Sequence, residues 1–304
     1  MRDAFHCVFV PGAVLRVSGE DALTFLQGQF TNDLRSSGPE SAVYGLWLSA
    51  KGKVLADSFV LQLGPKEFFL VSYFVRSEEL KARLDAFVIA DDVVIEDETG
   101  RWTAVALWGD GLSNVLAKCQ LDAPSPKALL RHADGFVING RHVRRANLDF
   151  ILSANTRSEQ LSKLLQEAGA SLVGADDLER ARIVDGIPAV PKDIGPQDLP
   201  NEGGLESDSV SFSKGCFTGQ EVMARLKSMG KVRRSLVRIS GKGLIPSLLP
   251  VAVFQGEKKF GELRSAVTYQ DGFIGMALIT TLGFDPLLGF SLEANSSPSL
   301  SILT

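Results

Sequence analysis

Apolar runs of strand length alternate with apolar residues at helical spacing along most of the chain. Residues 13–18 read as a strand, and Leu23, Leu26, Phe30 and Leu34 then share one helical face behind Ser18. Two strands, 43–49 and 54–62, are joined by the turn Ala50-Lys51-Gly52-Lys53. A third, 67–72, precedes an amphipathic helix over 77–87, with short strands at 93–96 and 103–107 and a helix after Gly111. Pro124-Ser125-Pro126 marks a loop. Strands resume at 136–138 and 150–153, followed by helices over 158–167 and 175–184. Segment 186–213, rich in proline, glycine and acids, is too long for an idle connection and reads as site-forming. Beyond Arg234 the pattern changes to short strands at 236–239, 251–254, 259–264 and 273–278, punctuated by Gly241, Gly243, Gly256 and Gly272. This predicts an α+β fold with a small C-terminal β-barrel, and a Ser-rich tail after Phe290 that is expected to be mobile.

Composition narrows the class. The 304 residues are 45% hydrophobic and 22% charged, as in a soluble globular protein of two or three domains. Apolar runs break well short of membrane-spanning length, and the N-terminus carries an acid without a secretory pattern. Cys7, Cys119 and Cys216 are odd in number and far apart, which suits the cytoplasm and no disulfide framework. His6, His132 and His142 lack metal-ligand spacing, read as surface or strand residues, and predict no metal site.

The formal charge of −4 hides an asymmetry. Arg225, Lys227, Lys231, Arg233, Arg234, Arg238 and Lys242 fall between Glu221 and Glu257 with no acid among them. Such a stretch is ordinarily a solvated face, and it also suits a polyanion, whether a polyglutamylated cofactor tail or RNA. The absence of interleaved aromatics over 222–242 argues against direct nucleic-acid recognition.

Residues 214–221, Lys-Gly-Cys-Phe-Thr-Gly-Gln-Glu, carry the strongest chemical signal. Thr218 and Glu221 have capping-box spacing, so a helix is expected from Thr218 through Leu226. Cys216 would sit ahead of its positive end, with the Lys214 ammonium nearby, and both favour thiolate. Gly215 and Gly219 leave the backbone free for positive φ and close approach. A lone cysteine is more often a small core residue. Lysine, two glycines, cap and basic helix together favour a functional thiol.

The octapeptide, followed by Val-Met-Ala-Arg, resembles the signature of the YgfZ family of folate-binding proteins, which includes mitochondrial relatives that support iron–sulfur cluster assembly. Gly19-Glu20-Asp21-Ala22, Phe25-Leu26-Gln27-Gly28-Gln29 and Thr31-Asn32-Asp33 are similar to that family's first helix. The 50–53 turn, Arg182 with Gly186-Ile187-Pro188, and Pro196-Gln197-Asp198 also agree. The N-terminal residues equally resemble the glycine cleavage T-protein, a tetrahydrofolate-dependent aminomethyltransferase that lacks the octapeptide. Where T-proteins carry an Asp-Asp pair, this chain has Ala56-Asp57.

The resemblance implies a ring of three subdomains, with two interleaved α+β subdomains in 1–235 and the β-barrel in 236–304. It implies tetrahydrofolate or a folate derivative as ligand, with Asp57, Tyr44, Arg182 and Asp185 of the right types to hold it and Arg225 for its tail. Cys216 would be the reactive thiolate and Lys214 its stabiliser, within a motif loop of Gly215, Gly219, Gln220 and Glu221. Iron–sulfur assembly or client proteins are the implied partners, and cluster-dependent tRNA modification a consequence. The alternative is a tetrahydrofolate-dependent one-carbon transferase. The tryptophans depart from the YgfZ pattern: Trp47, Trp102 and Trp108 all lie in the first half, and Leu178 stands where one can occur.

Overall fold

A computed structural model describes residues 3–132, 135–153, 155–230, 232–283, 285 and 288–303. The first two residues of the N-terminus and Lys231 of the basic stretch lie outside them. The first third contains β1 (Phe5–Phe9), β2 (Ala13–Ser18), α1 (Ala22–Gln29), β3 (Ser41–Leu48), β4 (Val54–Gly64), β5 (Glu67–Ser72), α2 (Ser77–Asp85) and β6 (Val94–Asp97). The middle contains β7 (Thr103–Trp108), α3 (Leu112–Cys119), β8 (Leu129–His132), β9 (Gly135–Asn139), β10 (Asn147–Leu152), α4 (Asn155–Glu167), β11 (Ser171–Leu172) and α5 (Ala175–Asp185). The last third contains α6 (Glu206–Ser209), α7 (Gln220–Met229), β12 (Arg234–Lys242), β13 (Val251–Gln255), β14 (Lys258–Tyr269), β15 (Gly272–Thr280) and β16 (Leu300–Leu303).

Three sheets result. The first runs β3-β4-β5-β2-β6 and the second β11-β1-β7-β10-β9-β8, so β1 leaves its sequence neighbours to pair with β7. The two-residue period of β2 explains how the first sheet is covered on both faces. Ala13, Leu15 and Val17 pack with Leu26 of α1 and Leu80 of α2. Val14 faces the other way, into a core shared with Ala104, Phe136 and Ile151 of the second sheet. The far face of the second sheet is covered by α3 and α4 through Val115, Leu161 and Leu165.

The third sheet runs β13-β14-β15-β12-β16 and is antiparallel throughout. Isolated bridges Phe254↔Ser291 and Phe290↔Leu300 connect its two edges through residues 290 and 291. Within the segment after Phe290, Leu300 is buried and 300–303 hydrogen-bond to β12. The first helix is also shorter than its apolar spacing suggested. It ends at Gln29, and Phe30 turns extended to bridge Trp47, because its ring packs beneath Gly45 where any side chain would collide.

Candidate functional site

Gly215 and Cys216 are exposed, whereas Lys214 before them and Phe217 after them are buried. Lys214 Nζ donates to the carbonyls of Gln27, Phe30 and Asn32 at 2.7, 2.6 and 2.9 Å. These acceptors lie at and beyond the C-terminal end of α1, where helix carbonyls lack partners and the dipole favours a cation. Burial lowers the Lys214 pKa to about 8, with Asp33 pulling it back up. Phe217 enters a core with Leu46, Leu48, Val190 and Met223. The loop is a short exposed arch between two buried anchors.

This geometry revises the expected role of Lys214. An ammonium has three N–H donors, and all three are spent on carbonyls, so none is left to hydrogen-bond a thiolate. The capping box is revised too. Helix α7 begins at Gln220 with Gly219 as its N-cap, and no side chain caps it. The Thr218 hydroxyl turns instead to Gln29 Oε1 at 3.2 Å. Gln220 and Glu221 form the first turn of α7, where Glu221 complements the helix dipole.

Gly219 has φ +86°, and a Cβ there would lie 2.8 Å from the Ser49 carbonyl oxygen. Gly52, in the β3–β4 turn, has φ +70° and is pressed against Val222. The two signature stretches therefore meet backbone to backbone, which neither would permit with a side chain. Gly215 by contrast faces open space. Further bonds hold the incoming segment: Thr31 Oγ1 to Ser209 O at 2.6 Å, Ser211 N to Thr31 O at 3.0 Å, and Asn32 Nδ2 to Asp208 O at 3.0 Å.

A second locus lies between the sheets. Tyr44, Asp57 and Arg182 do line one cleft, together with Phe59, Tyr73 and Phe74. Asp57 is 6% exposed. Its carboxylate accepts from the Tyr44 hydroxyl at 2.9 Å and from Ser72 at 3.4 Å. Burial raises its pKa to about 6, against the opposing pull of Tyr44, Arg141 and Ser72. Arg182 is not a free cation: Glu179 and Asp193 each approach it at 2.6 Å, and it also binds the Ile187 carbonyl. Its place is structural, tying α5 to the loop that follows.

Two expected contacts fall elsewhere. Asp185 lines a separate groove beside Phe5 and Trp108, and its carboxylate accepts from Arg144 N at 2.9 Å. Arg225 is exposed on α7 and does not line the cleft. The sequence reading passed over Arg141, Tyr73, His142 and Asp149. Arg141 lies over the Tyr44 ring at 4.2 Å. The Tyr73 hydroxyl donates to Asp149, and His142 stacks on Tyr73 at 4.3 Å with Nε2 at 3.2 Å from Asp149 Oδ1. Thus His142 is not a surface residue but buried, as is His6, which meets Ser162 Oγ at 2.9 Å. The available signal was Asn139-Gly140, a dipeptide of turn type at the end of β9, after which the chain bends over 142–145.

The cleft suits a flat, partly polar ligand in its donor set: aromatic walls, a buried carboxylate and a cation. It encloses about 10 Å³, room for roughly one water, so admission of a larger ligand requires side chains to move. Phe74, 38% exposed, and Arg141 stand among its lining residues as the groups to move.

Comparison with known proteins agrees with this layout. Residues 13–147 match the family model of the GCVT N-terminal domain. The tRNA-modifying protein YgfZ of Hamiltonella defensa is 24% identical, over 89% of this chain and 81% of that protein. A mitochondrial iron–sulfur cluster assembly factor of Mus musculus is 27% identical, over 91% of this chain and 78% of its own. The crystal structure of glycine cleavage system aminomethyltransferase T from Bartonella henselae superposes with a TM-score of 0.84 at 18% identity, covering 99% of this chain and 85% of that one, and shares its fold. The cysteine octapeptide, the matching domain and these relatives together support a likeness to YgfZ-type proteins of the GCVT-like superfamily, and the chain shares the aminomethyltransferase fold.

Proposed function

We propose that the protein is a cytoplasmic, folate-binding accessory factor that supports assembly or repair of iron–sulfur clusters, and through them cluster-dependent enzymes that modify tRNA. One observation carries the reading: an exposed thiol held between two buried anchors, where a core cysteine needs neither exposure nor anchoring. The named activities of the YgfZ and mitochondrial relatives support it. Cys216 would supply one nucleophile or one transient ligand to a sulfur or iron species, with the remaining ligands from a partner protein. Open space at Gly215 supports close approach by that partner.

The folate part rests on the cleft. Asp57 would accept from pterin N–H groups, Tyr44 would orient Asp57, and Phe59, Tyr73 and Phe74 would wall the ring. Folate, when bound, supplies a reduced pterin able to carry a one-carbon unit. We further infer that the bridges through 290 and 291 close the third sheet into a barrel and that the three sheets form a ring around this cleft. Calorimetry with tetrahydrofolate tests the ligand, and complementation of a strain lacking its own homologue by Cys216→Ala tests the thiol. Full complementation by that variant would end the thiol reading.

A second reading, tetrahydrofolate-dependent aminomethyl transfer, is favoured by the buried Asp57, whose pKa of about 6 suits an acid or base. It requires turnover of an aminomethyl donor and its loss in Asp57→Asn. A harmless Asp57→Asn beside an inactive Cys216→Ala would reject it.

A further inference from the structure

Arg141 and Asp208 stand between the cleft and the cysteine loop. Arg141 lines the cleft, and Asp208 lines the neighbouring groove with Asn32, Phe212 and Lys227. Their ion pair is poorly made. Nε and Nη2 of Arg141 both donate to the single oxygen Oδ2 of Asp208, at 3.2 and 3.1 Å. A carboxylate that used both oxygens would form two parallel bonds, each nearer the roughly 2.7–2.9 Å of charge-assisted contacts. The partners also differ in setting: the Arg141 side chain is 15% exposed and that of Asp208 53%. The cation is largely buried while the anion can leave for water, and a half-exposed pair of this kind contributes little.

Asp208 is also the first rung of the ladder that holds the cysteine loop. Its carbonyl accepts from Asn32 Nδ2, which donates as well to Tyr44 O at 2.8 Å. The next rungs are Ser209 and Ser211 on Thr31, then Lys214 on the end of α1, two residues before Cys216. A change at the Arg141 guanidinium thus reaches the thiol along one short, hydrogen-bonded segment. Arg141 moreover covers the face of Tyr44 that a flat ligand would use, so the same group blocks the cleft and ties the loop.

We propose that Arg141 is the anion-reading residue of the cleft, that Asp208 is a resident stand-in for a ligand carboxylate, and that exchange of one for the other loosens the segment bearing Cys216. This rests on the folate reading of the cleft, and it adds a role for the acidic tail and a consequence at the thiol. Any ligand of this class must carry a carboxylate that reaches Arg141, and binding is thereby reported to the loop that meets the partner.

The test uses the full chain, its Asp208→Asn and Arg141→Gln variants, and two probes. 5-Formyltetrahydrofolate carries the glutamate carboxylates, and 6-methyltetrahydropterin has none. By calorimetry Asp208→Asn should bind the first about ten-fold more tightly and Arg141→Gln about ten-fold more weakly, with the pterin indifferent to both. The rate of Cys216 alkylation by N-ethylmaleimide, followed on its own peptide by mass spectrometry, should rise about three-fold or more when 5-formyltetrahydrofolate saturates the parent. Asp208→Asn should show the raised rate without ligand. Measurable binding with equal affinity in all three proteins overturns the role of Arg141, and an unchanged alkylation rate in Asp208→Asn overturns the coupling. If neither probe binds any of the three, the folate reading falls, whereas the alkylation arm still decides the coupling. Asp208→Asn alters a half-exposed side chain, so the test survives even if Arg141→Gln fails to fold.

Discussion

Asp57 illustrates how a single side chain trades stability for chemistry. Its pKa of about 6 in the folded protein lies above the 3.8 of a free aspartate, so folding favours the protonated form. Below about pH 4 both states are protonated and burial carries no charge penalty; as pH rises through 6 the penalty grows to roughly 3 kcal/mol. Asp57→Asn should therefore melt higher than the parent at pH 7.5, with the gap closing toward pH 4 in a thermal scan. Lys214 works in the opposite sense, as a plug for carbonyls that nothing else serves. Lys214→Met should cost about 3 kcal/mol and make the 208–218 segment the first site of limited proteolysis. Cys216→Ala should leave denaturant stability within about 0.5 kcal/mol of the parent, since nothing is packed on an exposed thiol, while abolishing complementation.

At the scale of elements, the contact between the β3–β4 turn and the start of α7 sets the position of the loop. Gly219→Ala combines positive φ with a 2.8 Å clash against backbone, and should cost about 2 kcal/mol or more in urea titration. Gly215→Ala, in open space, should be neutral within about 0.5 kcal/mol and separates a folding role from a partner-contact role. Elements with strong periodicity were legible in the sequence: β2, the β3–β4 hairpin, α2 and α5 all lie where apolar spacing puts them. So was the close backbone approach at Gly219, which takes a positive φ. The true N-cap was not, because Thr218 found a side-chain acceptor in Gln29, which is remote in sequence. Arg141, His142 and Asp149 escaped for the same reason. Arg141 and His142 lie in the β9–β10 connection and Asp149 within β10, ordinary positions until Tyr73, just after β5, is brought to them. The ion-pair and hydrogen-bond partners of Asp185 and Arg182, Arg144 and Asp193, come from other segments and could not be read from the helix alone.

For the molecule as a whole, ligand binding should be visible as stability. With tetrahydrofolate at 100 times its Kd, the linkage gain is about 2.7 kcal/mol, and hydrogen exchange should slow around the cleft. The same measurement should show faster exchange at 208–214 if Asp208 is displaced there. The interleaving of the first two sheets carries a separate consequence. Phe5 pairs with Trp108, and Val8 with Val105, so β1 waits for about 100 residues before its main partner exists. By then β2 to β6 can already have closed the first sheet around Leu15 and Leu70, while β1 remains a bare apolar strand. Loop closure of that length slows pairing and leaves an edge open to other chains. Emergence from the ribosome is thus the stage at which this fold is most exposed to aggregation, and substitutions in β1 should lower soluble yield more than they lower the stability of the finished protein.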